Sequence, residues 1–429
     1  MKKSNFKTLL TVLILSMLVV NSCADKDKIE GTQKPTITIE KPQEYLIPGY
    51  IHLPYEMRPL LSSGTDFSLN FFKKVSSEFS GNIFVSPYSL GMALGMLYNG
   101  AENETKEEIA AVMGMSGYTP EEINNYYQIL TEGLLSVDSN TDLSVANAIW
   151  TDKKFPLKNS FSDLTKQYYD AEISTMDFSL PSALKAINDW CNEKTKGTIP
   201  KILDELHPPT VLANATYFKS AWTEKFDKSK TEDKPFYNQD GSTSKVQMMH
   251  QKELLLHYTH TSDYELVRLP YSSGAFSMNI VLPKEGVDID NVIESLDGSA
   301  WEALIGNMYG NKVFVTLSMP RFTLNNNLGL NDILTAMGMP RAFSDKDAQF
   351  LAMLEIHSWV GKVLQKSYID VSEEGTEASA ATVIVMAGLS GEPLPPPEHA
   401  IVEVNRPFIF AITEQSTRAI LFMGKVNKL

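Results

Sequence analysis

The side chains of this 429-residue chain that could act as nucleophiles, bases or metal ligands are scattered rather than grouped. Of its seven histidines, only His250, His257 and His260 lie near one another. His257 and His260 would share a face if their segment were helical, but packed or exposed structural roles suit them better than metal ligation. The chain contains no Gly-x-Ser-x-Gly turn to present a hydrolase nucleophile, no Gly-x-x-x-x-Gly-Lys-Ser/Thr phosphate loop and no His-Glu-x-x-His zinc motif. Ser390 follows Gly388-Leu389 with no nearby acid and base to activate it. These observations point away from an enzyme, and they call for neither a cofactor nor a metal.

A different kind of chemistry, that of a peptide bond offered for attack, is suggested by the stretch from Val371 to Ser390. It reads Val-Ser-Glu-Glu-Gly-Thr-Glu-Ala-Ser-Ala-Ala-Thr-Val-Ile-Val-Met-Ala-Gly-Leu-Ser. No proline or further glycine interrupts it from Thr376 to Met386. With a period of two, Thr376, Ala378, Ala380, Thr382, Ile384 and Met386 form a face without charge, which suits burial in a sheet. Glu377, Ser379, Ala381, Val383 and Val385 form the other face. The lack of proline matters because a central strand must donate each N–H to a ladder. Fully extended, Thr376 to Leu389 would span roughly 45 Å, far longer than an ordinary strand. The same composition suits a short helix or a surface loop, and Gly391, Pro393, Pro395, Pro396 and Pro397 just downstream mark a loop. A segment patterned both ways could occupy two states.

The string Glu373-Glu374-Gly375-Thr376-Glu377-Ala378-Ser379-Ala380-Ala381-Thr382 resembles the hinge of the serpins, the serine-protease inhibitor family. Val402 to Phe410 resembles the second signature of that family, and Phe422-Met423-Gly424-Lys425-Val426 is similar to its usual ending. The resemblance runs from about Thr65 to Leu429. It implies an α+β serpin fold: mixed β-sheets, one a large central sheet, surrounded by helices, with an exposed reactive-centre loop at about residues 375–399. The implied partner is a target serine protease held in a covalent acyl complex. The protease attacks the loop and forms an acyl-enzyme. The hinge then inserts into the central sheet, and the protease is distorted before water can release it. The uncut protein is accordingly expected to be metastable.

The family's usual spacing from Gly375 puts the reactive bond at Leu389–Ser390. Because Ser390 to Phe408 is several residues longer than usual, Met386 is the alternative. Leucine there implies a chymotrypsin-like, elastase-like or subtilisin-like target. No Lys or Arg lies between Thr376 and His399 to satisfy a trypsin-like pocket. By the same resemblance, Ser86, Ser89 and Asn214 belong to a polar cluster beneath the sheet centre. Gln365 stands there where the family usually has a histidine. It can donate and accept hydrogen bonds but supplies no pH-dependent charge. Trp222 and an Arg321–Glu373 pair fall at the top of the sheet. The alternatives to a serine-protease inhibitor are a non-inhibitory serpin-fold binding protein or protease substrate, and a cross-class inhibitor of cysteine proteases.

The flanking elements set the context. Lys2 and Lys3 precede an apolar run from Leu9 to Val20 and then Asn21-Ser22-Cys23, the pattern of a secretory signal. The Val-Asn-Ser-Cys ending resembles a bacterial lipobox. Residues 1–22 are thus expected to be a lipoprotein signal peptide, and Cys23 a lipidated residue. Such an anchor would hold the exported protein on a lipid bilayer at the bacterial cell envelope. Residues 23–64 read as anchor and tether, polar and without periodicity, and 65–429 as the serpin domain. Phe67, Phe71, Val75 and Phe79 mark a helix face. Gly91 to Ala101 reads as a close-packed, methionine-rich helix. Thr119-Pro120-Glu121-Glu122 is a helix start. Strands are expected at Leu143–Trp150, Val211–Trp222, Leu266–Pro270, Phe276–Pro283 and Val313–Phe322, with a hairpin from Phe236 to His250 turning at Asp240-Gly241. Cys191, the only other cysteine, is expected to be packed. A 43% hydrophobic content is ample for a core, and a formal charge of −14 argues against nucleic-acid binding. Nothing in the sequence signals oligomerisation, so a monomer is expected.

Overall fold

The computed structural model describes residues 48–206, 209–308, 312–376 and 399–429. The signal segment, Cys23, Glu377 to Thr382 of the hinge, Met386 and the Leu389–Ser390 bond all lie outside the described residues. The first helix, α1 (Arg58–Glu78), buries Phe67, Phe71 and Val75 at the predicted four-residue spacing. Phe79 leaves that face: it is the extended residue that ends the helix and is partly exposed. The expected domain start at Thr65 falls inside α1, and the chain before α1 already packs on the body. Ile51 is buried against Gly133, and its N–H donates to Ser416 Oγ at 3.0 Å.

Strand β1 (Ile83–Val85) leads into α2 (Pro87–Gly100), in which every residue except Asn99 is buried. Two of its glycines are there for space. A Cβ on Gly91 would lie 2.6 Å from Tyr127 Oη, and one on Gly95 would lie 2.6 Å from Tyr169 Oη. Around it stand α3 (Asn103–Val112), α4 (Pro120–Ser136) and α5 (Asn159–Tyr169). The start of α4 is the predicted capping box, with Thr119 and Glu122 exchanging hydrogen bonds. α6 (Pro181–Lys194), α7 (Ile289–Ser295), α8 (Gly298–Met308) and α9 (Asn331–Met337) complete the helices of the described residues.

One sheet of the described residues has six strands: β2 (Asp142–Asp152), β3 (Glu172–Met176), β4 (Thr210–Ala221), β10 (Phe322–Gly329), β11 (Lys362–Ser372) and the two-residue β12 (Gly375–Thr376). Their order is β10-β11-β12-β4-β2-β3, and β11 also pairs directly with β4. The second sheet has nine strands. These are β1, β5 (Glu232–Tyr237), β6 (Thr243–His260), β7 (Tyr264–Tyr271), β8 (Phe276–Pro283), β9 (Lys312–Pro320), β13 (His399–Glu403), β14 (Phe408–Glu414) and β15 (Ile420–Val426). β5 and β6 form the predicted hairpin, with Gly241 at φ +80° in the turn. β4 is buried on both faces along nearly its whole length, as its largely apolar sequence requires. The expected α+β architecture, a large central sheet among helices, is therefore present.

The tyrosines around α2 yield the first prediction. Tyr169 sits on Gly95 and donates from its hydroxyl to Asn124 Oδ1 at 2.7 Å. Gly95→Ala should displace the ring, strand the buried hydroxyl and destabilise the protein by about 1–3 kcal/mol. Denaturant unfolding of the uncut protein would show this as a lower midpoint, whereas Gly306→Ala, which lies inside α8 and meets no neighbour, should raise the midpoint slightly, because alanine is the better helix former.

Candidate functional site

The functional geometry centres on the seam between β4 and β11. At its lower end the two strands pair in parallel over Lys362–Lys366 and Val211–Ala215. Above that, among the described residues, no pairing joins Ser367–Asp370 to Thr216–Lys219. At the top, β12 fills the gap. Gly375 and Thr376 pair antiparallel with Ser372 and Val371 on one side and with Ala221 and Ser220 on the other. Gly375 and Thr376 of the hinge thus already lie between the strands that the residues after them would have to enter.

Gly375 can sit there because it has no side chain. Its φ is +136°, and a Cβ would lie 2.3 Å from Ser220 O and 2.7 Å from Ala221 Cα. Thr376 is buried, and its hydroxyl meets Tyr271 Oη at 2.8 Å. This burial fits the uncharged face expected for Thr376. The Tyr271 ring stacks on Trp222 with centroids 4.4 Å apart. Trp222 in turn donates Nε1–H to Ser372 O at 2.9 Å and its backbone N–H to Glu374 O at 3.1 Å. Trp222 therefore braces the turn that delivers the hinge.

The two carboxylates before Gly375 are held in different ways. Glu373 is buried; its Oε1 accepts from Thr231 Oγ1 at 2.6 Å, and its Oε2 lies 3.5 Å from Arg321 Nε. The predicted Arg321–Glu373 pair thus exists, with a half-exposed arginine against a buried carboxylate. Glu374 faces outward to Lys225 at 2.6 Å and Lys228 at 3.0 Å. The hydrogen bond from Lys225, then that from Lys228, holds its carboxyl below the ordinary range.

Beneath the seam the predicted polar cluster is assembled. Gln365 accepts from the Ser86 N–H at 2.9 Å and donates Nε2–H to Ser86 O at 2.8 Å. Ser86 is the N-cap of α2, so β11 is clamped to the start of that helix. On the other side, Asn214 of β4 donates to Ser89 Oγ, one turn into α2, and to Asn147 Oδ1 at 2.7 Å. A single side-chain bond of the cluster crosses the seam, from Gln365 Nε2 to Asn214 Oδ1 at 3.3 Å. The glutamine thus does more than occupy a histidine's place: it grips both backbone groups of one residue, which a single imidazole cannot do. Asn147 was not foreseen. Its signal was a lone asparagine within the apolar run from Val145 to Trp150. Tyr271, Thr231, Lys225 and Lys228 carry no comparable signal, because only the fold brings them to the hinge.

The opposite face of the seam is covered. Ile187, Trp190 and Cys191 of α6, with Ile199, Ile202 and Leu203, pack on Val211, Ala213 and Ala215 of β4 and on Leu364 of β11. Lys366 of β11 donates to Lys201 O across the same layer. Cys191 is the packed thiol expected, and burial pushes its pKa up to about 12. The histidines near residue 255 are corrected in one respect. His257 and His260 lie on β6, not on a helix, and an odd spacing on a strand turns them to opposite faces. His257 bonds to Met308 O through Nδ1 at 2.7 Å, and burial lowers its pKa. Among the described residues no group of three or more His, Cys, Asp or Glu could hold a metal ion.

Comparison with known proteins bears on this geometry. The family model described as Serpin (serine protease inhibitor) matches residues 62–429. A serpin-like protein of Thermococcus kodakarensis is 33% identical over 377 residues, covering 86% of this chain and 85% of the relative. The leukocyte elastase inhibitor of Xenopus laevis is 32% identical over 385 residues, covering 86% of this chain and all of the relative. Among solved structures, the thermophilic serpin tengpin in its native state superposes with a TM-score of 0.79 at 30% identity, covering 88% of this chain and 95% of tengpin. Human thyroxine-binding globulin in complex with its hormone gives a TM-score of 0.77 at 30% identity, covering 87% of this chain and 99% of the globulin.

Two predictions follow from the seam. Gly375→Ala should drive the hinge out of the sheet, because the strain of its φ and the backbone clash outweigh the ladder bonds of two residues by about 1–3 kcal/mol. Hydrogen exchange should then show lost protection at Ser220 to Trp222, with protection at Val211 to Ala215 retained. Glu374 sets a pH dependence. A carboxylate whose pKa is lowered on folding contributes stability above its unfolded value, and that contribution is lost as pH falls through its folded value. The wild type should be more stable than Glu374→Gln at pH 7. The gap should close as pH falls below about 4, as read by thermal unfolding of both proteins across that range.

Proposed function

The chain belongs to the serpin family, and we propose that it acts in the family's inhibitory mode, as a suicide substrate for serine-type endopeptidases. The observation that carries this reading is the forked sheet, parted above Lys366 and already holding Gly375 and Thr376 at its mouth. Cleavage in the loop would release the rest of the hinge to continue between β4 and β11. Entry of about a dozen residues would break one short parallel ladder and make two longer antiparallel ones. At roughly 0.5–1.5 kcal/mol net for each added hydrogen bond, with apolar burial on top, the gain is of order ten kcal/mol. That is enough to displace a bound protease from catalytic geometry.

The chemistry of the loop assigns the target class. Leu389 as the residue before the cut selects chymotrypsin-like, elastase-like or subtilisin-like proteases, with Met386 as the alternative bond. The similarity to a leukocyte elastase inhibitor supports an apolar specificity. The protease would be held as a covalent acyl complex by a monomeric inhibitor. The lipobox-like Cys23 would tether that inhibitor to the cell envelope. A second reading, a binding protein without inhibitory activity, is favoured by the similarity to thyroxine-binding globulin, whose structure is a complex with thyroxine.

The test is incubation of the full chain with chymotrypsin and with a neutrophil-type elastase, followed by a denaturing gel and mass analysis. The expected outcome is a covalent complex that survives denaturant, together with a released peptide that begins at Ser390. Cleavage with neither a complex nor a rise in thermal stability would exclude inhibition and leave the binding protein.

A further inference from the structure

Most large apolar side chains left exposed among the described residues are dispersed, but three are aligned. Leu255 on β6 is paired directly with Phe314 on β9, and Phe314 is paired directly with His399 on β13. Directly opposed residues share a face, and a strand returns to that face every second residue. Ile401 therefore stands on the same face as His399, diagonal to Phe314. Leu255, Phe314 and Ile401 are 41%, 36% and 64% exposed, while Leu254, Val315 and Val402 behind them are buried. Among the described residues no other strand pairing joins two exposed large apolar side chains. The stripe ends on β13, an edge strand whose first residue, His399, receives the chain from the reactive loop.

We propose that this stripe is a secondary docking surface for the target protease, engaged beside the loop during the first encounter. The proposal rests on the inhibitory reading and deepens it. Two observations select the occupant. The expected reactive bond lies ten residues before His399, so a protease seated on that bond is tethered within about 35 Å of the stripe. The size of the stripe argues in the same direction. Three partly exposed side chains of roughly 150–250 Å² each offer a few hundred Å² at most. A stable association between two copies needs about 800 Å² from each partner. The stripe is thus too small to hold a second copy by itself. It is the right size to extend an interface whose centre is the loop. The matching surface on the protease is apolar and uncharged, lying beside the cleft on the side that receives residues after the cut.

The test compares the full chain with Phe314→Ser and Ile401→Ser variants, singly and together. Both sites are exposed, so thermal unfolding should match the wild type and serve as the folding control. The primary readout is the second-order rate of complex formation with an apolar-specific protease. The double variant should react about tenfold more slowly, with the number of inhibitor molecules consumed per protease unchanged. An unchanged rate overturns the proposal. If the wild type is cleaved without trapping, the inhibitory reading fails on its own. The stripe is then judged by kcat/KM for loop cleavage, which should still fall about tenfold, through KM, in the double variant. If an active-site serine-to-alanine protease binds wild type and variant equally, the stripe is not a docking surface. Light scattering that shows a wild-type dimer dissolved by the double substitution would assign the stripe to a second copy and likewise overturn the proposal.

Discussion

A parted seam inside a sheet leaves backbone donors and acceptors that a neighbouring strand would otherwise satisfy. Everything around β4 and β11 follows from holding such a seam open enough to accept a strand and closed enough to wait for one. The lower rungs are paired directly, the upper mouth is filled by two residues of the hinge, and the stretch between is parted. A fully zipped pair would have no place for the hinge. A fully filled one would have no further strand to take in, and no free energy left to release. Were the rest of the hinge to enter, as proposed, the free energy released would be the difference between one short ladder and two long ones.

The polar cluster shows how the closed state can be specific without being too strong. Each side of the seam has its own firm moorings: Gln365 on both backbone groups of Ser86, and Asn214 on Ser89 and Asn147. The only side-chain bond of the cluster from one side to the other is long, at 3.3 Å. Parting the strands therefore leaves nearly every side chain of the cluster with its partner, so that the cluster adds few orphaned donors to the ladder bonds that are broken. A glutamine serves this purpose without a titratable group, so the cluster itself adds no pH term to the barrier.

Much of this was legible in the sequence because it is local. The capping box at Thr119, the glycine-spaced packing of α2, the Asp240-Gly241 hairpin and the largely apolar sequence of β4 each follow from residues close together in the chain. The burial of Thr376 was legible from its parity, and Gly375 from its place before the strand. What was not legible is what the fold alone assembles. Tyr271 reaches Thr376 from another sheet, and Thr231 reaches Glu373 from the far side of a hairpin. Neither residue has any feature in the sequence that marks it for the task. The histidines misled for a related reason: His257 and His260 lie where the period could be read as helix, and only pairing with β7 and β9 makes the segment a strand. The segment from Pro48 to Leu53, ahead of the expected domain start, has no periodicity to mark it. It packs by fitting Ile51 against a glycine, a match of shapes that no pattern announces.

The common anchorage of the cluster has a mechanical consequence. Ser86 and Ser89 lie on the first turn of one helix, so both halves of the sheet are pinned to a single rigid rod, and that rod is backed by tyrosines packed on Gly91 and Gly95. The halves cannot slide apart as parallel plates. Any further parting would turn like the covers of a book about a spine set at the helix end, with displacement growing with distance from that spine. A small yielding at the single crossing bond is levered into a wide gape at the mouth, where the hinge waits.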